Sequence, residues 1–73
     1  MKPLKIVVSK DIDNQDDPGV VAFVRPDAVS IAMHVKGYPD LCGITTRDGG
    51  KDIYTIIKEP LLEFVARWEL ALM

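Results

Sequence analysis

Seventy-three residues, 48% hydrophobic and 27% charged, bound the chain to one folded domain spanning residues 1–73. Its limited core is of the kind that often leans on a staple or a partner. A single cysteine excludes an intramolecular disulfide, and with a single histidine it argues against a tetrahedral zinc site. Nine basic residues against eleven acidic ones, spread along the chain for a net charge of −2, argue against nucleic-acid binding driven by phosphate neutralisation.

No apolar run approaches the ~20 residues that a membrane-crossing helix needs. The opening MKPLKIVVSKD is too short and too quickly charged for a signal peptide, so the cytoplasm is the expected compartment. Residues 4–8, LKIVV, form the first predicted strand, and Pro3 suits its start. Lys10 to Gly19, KDIDNQDDPG, is the most polar stretch and is expected as an exposed, mobile excursion longer than a hairpin turn. Asp11, Asp13 and Gln15 echo the first oxygen ligands of a calcium loop. The match then fails, because the required Gly is Asp16 and the closing Glu is Ala22. A solvated acidic loop is the simpler reading, and no metal or other cofactor is expected.

Val20 to Val24 is a second strand, antiparallel to the first if the acidic loop joins them. Arg25-Pro26-Asp27 breaks it. Residues 28–36 resume as a strand, with Val29, Ile31, Met33 and Val35 on one face and Ala28, Ser30, Ala32, His34 and Lys36 on the other. Lys36 to Asp40, KGYPD, is a turn by composition.

The most legible stretch runs from Leu41 to Trp68. Asp48-Gly49-Gly50 lies between two runs rich in Ile, Thr and Tyr, a strong hairpin signal because the favoured turns need positive φ. Cys42, Ile44 and Thr46 alternate with Gly43, Thr45 and Arg47. In the second arm Ile53, Thr55 and Ile57 alternate with Tyr54 and Ile56. Apolar residues on both faces imply that the hairpin is not an exposed edge.

A helix follows, with Pro60 in its first turn and Glu59 near the positive end of its dipole. Leu61, Phe64, Val65, Trp68 and Leu72 form an apolar stripe, and Glu63 and Arg67 are spaced to pair weakly. Leu62, Ala66, Leu70 and Met73 widen the apolar surface beyond that stripe. One sheet covers one side of a helix, so these four either meet a second subunit or stand as tolerated surface.

Candidates for chemistry are few. Cys42 on a strand reads as a packing residue, and Trp68 as a core anchor of the helix. His34 falls on a small, polar face with no nucleophile or carboxylate constellation around it, so a surface histidine is the simpler reading. There is no phosphate loop, dinucleotide fingerprint, metalloprotease motif or nucleophile elbow.

From Val20 onward the order of elements resembles a known pattern. Its pieces here are Val24-Arg25-Pro26-Asp27-Ala28-Val29, then Ile44 to Lys51, then Ile57-Lys58-Glu59-Pro60-Leu61-Leu62-Glu63-Phe64-Val65. It is similar to the FlbD-like small proteins linked to flagellar regulation, and to short uncharacterised proteins of prophages and mobile elements. The resemblance covers about two-thirds of the chain and rests on turn and core positions. It implies a small sheet capped by a helix and transfers no functional residue.

The expected fold is α+β, a small antiparallel sheet of about five strands with one C-terminal helix packed on one face. Large apolar residues on both sheet faces make a homo-oligomer, with a dimer preferred, the expected partner state. A non-catalytic protein-interaction or regulatory module fits best. One alternative is a nucleic-acid-binding regulator using Arg47, Lys51 and Lys58. Another is a small enzyme or ligand-binding protein whose interface site would draw on His34, Tyr38 or the Asp11–Asp17 loop.

Overall fold

The computed structural model describes residues 2–14 and 16–73. Five strands and one helix follow in order: β1 (Leu4–Val8), β2 (Val20–Val24), β3 (Val29–His34), β4 (Cys42–Asp48), β5 (Lys51–Ile57) and α1 (Leu61–Leu72). Every paired neighbour is antiparallel, and the sheet order is β2-β1-β5-β4-β3. The expected α+β fold, a sheet with one C-terminal helix on it, is the fold observed.

The β4–β5 hairpin forms where the sequence places it. Gly49 and Gly50 take φ of 60° and 84°, and Asp48 pairs with Lys51 across the turn. Positive φ at both central residues gives the turn whose twist matches the flanking strands. The β1–β2 hairpin is a second unit, and the two meet at one register pair, Val8 with Ile57. Two hydrogen bonds flank that pair: Ser9 N donates to the Ile56 carbonyl at 2.9 Å, and Lys58 N to the Val7 carbonyl at 2.8 Å.

Beyond this seam β5 has turned away toward the helix. Continuing the register would set Pro60, which has no N–H, opposite Lys5. Arg67 supplies the donor instead, its Nη2 reaching the Lys5 carbonyl at 2.9 Å. The same guanidinium grips Glu59 with two bonds, Nε to Oε2 at 2.8 Å and Nη2 to Oε1 at 2.6 Å. Arg67 therefore pairs with Glu59 across the helix entry, where the spacing had suggested Glu63. Two-pronged guanidinium–carboxylate contacts are the stronger kind.

The core lies between the sheet and α1. Leu4, Ile6, Val29, Cys42, Ile44, Ile57 and Phe64 are buried there. Full burial of side chains such as Ile44 or Phe64 contributes about 1.5–3 kcal/mol each. Pro60 is the cap residue of α1 and not part of its first turn, since its ψ of 145° is extended. The inward stripe is Leu61, Phe64, Trp68 and Ala71; Leu72, expected in it, is 47% exposed. At 100° per residue Ala71 lies closer than Leu72 to the line through Phe64 and Trp68.

Strand β3 departs from the expected alternation. Val29 pairs with Thr46 and Ile31 with Thr45, so Ser30 is an extra residue at a bulge. A bulge shifts everything beyond it to the opposite face. Val29 is accordingly buried in the core, whereas Ile31 and Met33 emerge on the other side of the sheet.

Trp68 is half-buried and ties the helix to the short 3-10 turn at Pro26–Ala28. Its Nε1 donates to the Pro26 carbonyl at 2.8 Å, and its ring stacks on Phe64 with centroids 6.2 Å apart. Trp68→Phe keeps the stacking and loses the hydrogen bond, so it is expected to cost about 1 kcal/mol. Trp68→Ala loses both and is expected to cost about 2–4 kcal/mol, below the ceiling for a fully buried ring. Urea unfolding of the two variants checks the order and the gap.

Candidate functional site

One helix covers one face of the sheet, and the pairing fixes what lies on the other. Residues directly opposite in an antiparallel ladder share a face. Leu4, Ile6 and Val8 face the helix, so Lys5 and Val7 face away, with Phe23 and Val21 beside them on β2. Ile44 and Ile57 face the helix, so Tyr54 and Ile56 of β5 face away, with Gly43 and Thr45 beside them on β4. Met33 pairs with Gly43 and Ile31 with Thr45, which completes the row on β3.

The result is an uncovered face with a large apolar content. Phe23 is 66% exposed, Val21 54%, Tyr54 53%, Ile31 49% and Met33 43%. The Tyr54 ring lies flat across β4: a Cβ built on Gly43 would fall 2.6 Å from its Cζ and 2.7 Å from its Cε1. Gly43 thus gives the tyrosine a seat that any side chain would fill.

The four helix residues expected beyond the core stripe do lie on the outer face of α1. Leu62 is 78% exposed, Leu70 71% and Met73 96%, and Ala66 is exposed with them. The three cations considered for nucleic acid are not brought together. Arg47 is engaged by Asp52 at 3.2 Å. Lys51 stands at the hairpin turn, and Lys58 lies past the opposite end of the same strand, where its Nζ donates to the Asp17 carbonyl.

The acidic loop is largely exposed, as expected, and is braced by hydrogen bonds of its own. Asp17, 6% exposed, accepts from Lys10 N at 2.7 Å, Asp11 N at 3.1 Å and Gly19 N at 2.9 Å. Asp11 Oδ1 accepts from Asp13 N, and Asp13 Oδ1 accepts from the Tyr38 hydroxyl at 2.9 Å. That bond to Asp13 raises the Tyr38 pKa above its ordinary range, helped by the charges of Asp13 and Asp11 and by burial. These three carboxylates are thus turned to protein donors, and among the described residues no group of acidic, His or Cys side chains is placed to hold a metal ion. Gln15, the third residue of the calcium echo, lies outside the described residues.

His34 is exposed at the end of β3, opposite Cys42. Cys42 is fully buried, as a packing residue would be. Burial pushes its thiol up to about 11, with the Glu59 charge adding to the rise and Arg67 opposing it. A thiol held protonated in the core is a poor nucleophile. Tyr38 meets the acidic loop but His34 is not joined to them, so the three elements do not converge on one pocket.

A cleft of about 570 Å³ lies elsewhere, between the β4–β5 turn and the Pro26–Ala28 segment. Its floor is Val24, Ala28 and Ile53, and Arg25 and Asp27 on its rim pair with each other at 3.0 Å. No helix among the described residues is long and apolar enough to cross a membrane.

Comparison of the chain with family models, with curated proteins and with solved structures finds no match.

Two substitutions probe this geometry. Gly43→Ala is expected to lift the Tyr54 ring off β4 with the fold intact, read as a change in the Tyr54 ring NMR shifts beside a preserved amide spectrum. For the loop, the Asp17 carboxyl is held below its ordinary 3.8, first by the Gly19 amide. Burial pushes the other way, and the Lys10 and Asp11 amides and the Lys58 charge lower it further. A depressed folded-state pKa adds stability above the unfolded value, which is lost as pH falls through the folded one. The stability gap between wild type and Asp17→Asn is therefore expected to be full near neutrality and to close as pH falls below the ordinary carboxylate value of 3.8, as urea midpoints across that range will read.

Proposed function

We propose that this chain is a non-catalytic protein-interaction module, acting in the cytoplasm, whose docking surface is the uncovered face of the sheet. The observation that carries this reading is Phe23, a large aromatic side chain 66% exposed on the edge strand β2, with Val21, Tyr54, Ile31 and Met33 exposed on the same face. Scattered apolar residues on a surface are ordinary, but a shared face of this content marks an interaction site. Aromatic and Met side chains are enriched at the centres of interfaces, and charged ones are depleted there. The titratable groups give the reading further support. The buried thiol is held protonated, the carboxylates of Asp11, Asp13 and Asp17 are committed to backbone amides and a tyrosine, and the histidine has no oriented partner.

The test is co-purification. The full chain is expressed with two different tags in one cell and recovered at physiological salt, as wild type and as Phe23→Asp. Wild type is expected to retain a polypeptide, either its own second-tagged copy or a different protein, and Phe23→Asp to lose it at least tenfold. Equal retention by the two, or retention of nothing by either, overturns the reading.

A further inference from the structure

The pairing register places the exposed apolar side chains in a diagonal band. With about 4.8 Å between strands and about 3.4 Å per residue, the band runs about 28 Å from Phe23 on β2 to Ile31 on β3. That is nearly the full 32 Å length of the molecule. Phe23 and Val21 form one end, Ile31 and Met33 the other, and Tyr54 lies between them. The charged side chains of this face are Lys5 beside Phe23, Arg47 paired with Asp52 at the far end, and Lys58, which the register sets beside Val7 and whose Nζ is turned to the Asp17 carbonyl.

Weighted by side-chain size, the five exposed residues present about 500 Å² of apolar surface. A standard interface buries about 800 Å² on each partner, about 60% of it apolar. The exposure of these five residues is of the order of that apolar share. The band also meets the demand of twofold symmetry, that one patch complement itself. A twofold axis crossing the middle of the band exchanges its ends. It sets the Phe23 ring of one copy against Ile31 and Met33 of the other, an aromatic–thioether and aromatic–aliphatic contact made twice.

We infer that the occupant of this face is a second copy of the chain, the two sheets packing face to face as a homodimer with Phe23 of each seated on Ile31 and Met33 of the other. The inference rests on the interaction-module reading above and names its partner.

Sedimentation equilibrium of the purified full chain, from about 1 to 200 µM, tests it beside Phe23→Asp, Ile31→Asp and Leu70→Asp. Circular dichroism and thermal melts report whether each variant is folded. Wild type is expected at twice the 8.1 kDa chain mass. Phe23→Asp and Ile31→Asp, at opposite ends of the band, are each expected to weaken association at least ~30-fold, because the twofold puts the new carboxylate into an apolar contact twice. Leu70→Asp, on the outer face of α1, is expected to leave it unchanged. If one sheet variant does not fold, the other decides.

A wild-type monomer throughout the range overturns the inference. So does a dimer dissolved by Leu70→Asp and by neither sheet variant, which would place the contact on the helix. A dimer indifferent to all three overturns it as well, and would point to backbone pairing along an edge strand. A monomer that still co-purifies a different polypeptide in a Phe23-dependent way defeats the second copy and leaves the module reading standing.

Discussion

A five-stranded sheet has two faces, and among the described residues there is one α-helix, of twelve residues, to cover them. Everything else in the structure follows from how that shortage is met. The helix, through Phe64, is spent on Leu4, Ile6, Ile44 and Ile57, and the short turn at Pro26–Ala28 is drawn in under Trp68 to extend the cover. Antiparallel sheets of this size commonly leave the second face to water and make it polar. Here that face keeps Phe23, Tyr54, Ile31 and Met33, and the mismatch between what is covered and what is apolar is the main functional signal in the molecule.

The elements themselves were legible because their signals are local. Two glycines in a turn, an alternating run and a 3-4 stripe each report on a few neighbouring bonds. The helix surplus at Leu62, Ala66, Leu70 and Met73 was legible for the same reason, since angular position on a helix is fixed by spacing alone. The uncovered sheet face was only half legible. Apolar residues on both sides of each strand were visible in the sequence, but which side met the helix depended on the register. In β3 a single extra residue, Ser30, reversed it. No composition marks a bulge of one residue.

What stayed hidden were choices among equivalent side chains. Four aspartates in one loop look alike, yet only Asp17 is placed to gather three backbone amides. Glu63 lies one helical turn from Arg67, yet it is Glu59, eight positions back and outside the helix, that the bend at Pro60 brings to the guanidinium. Trp68 was expected as the core anchor of the helix, with Phe64 one residue of the same stripe. The smaller ring is the one fully buried, because the indole must keep its N–H at a carbonyl.

The seam between the two hairpins carries a further meaning for how the molecule opens. Strands β3, β4 and β5 and the helix are contiguous in sequence and can assemble through short-range contacts. The β1–β2 hairpin joins them through one ladder pair, its two flanking bonds, core packing and the reach of Arg67 to Lys5, sixty-two positions away. This makes the hairpin a separable cooperative unit, the natural candidate for sub-global unfolding. When it swings out, Phe23 and Val21 leave with it while Ile31, Met33 and Tyr54 stay behind. Fluctuation at the seam therefore sets how long the uncovered face exists as one surface, and a partner spanning both halves would act as a brace against that opening.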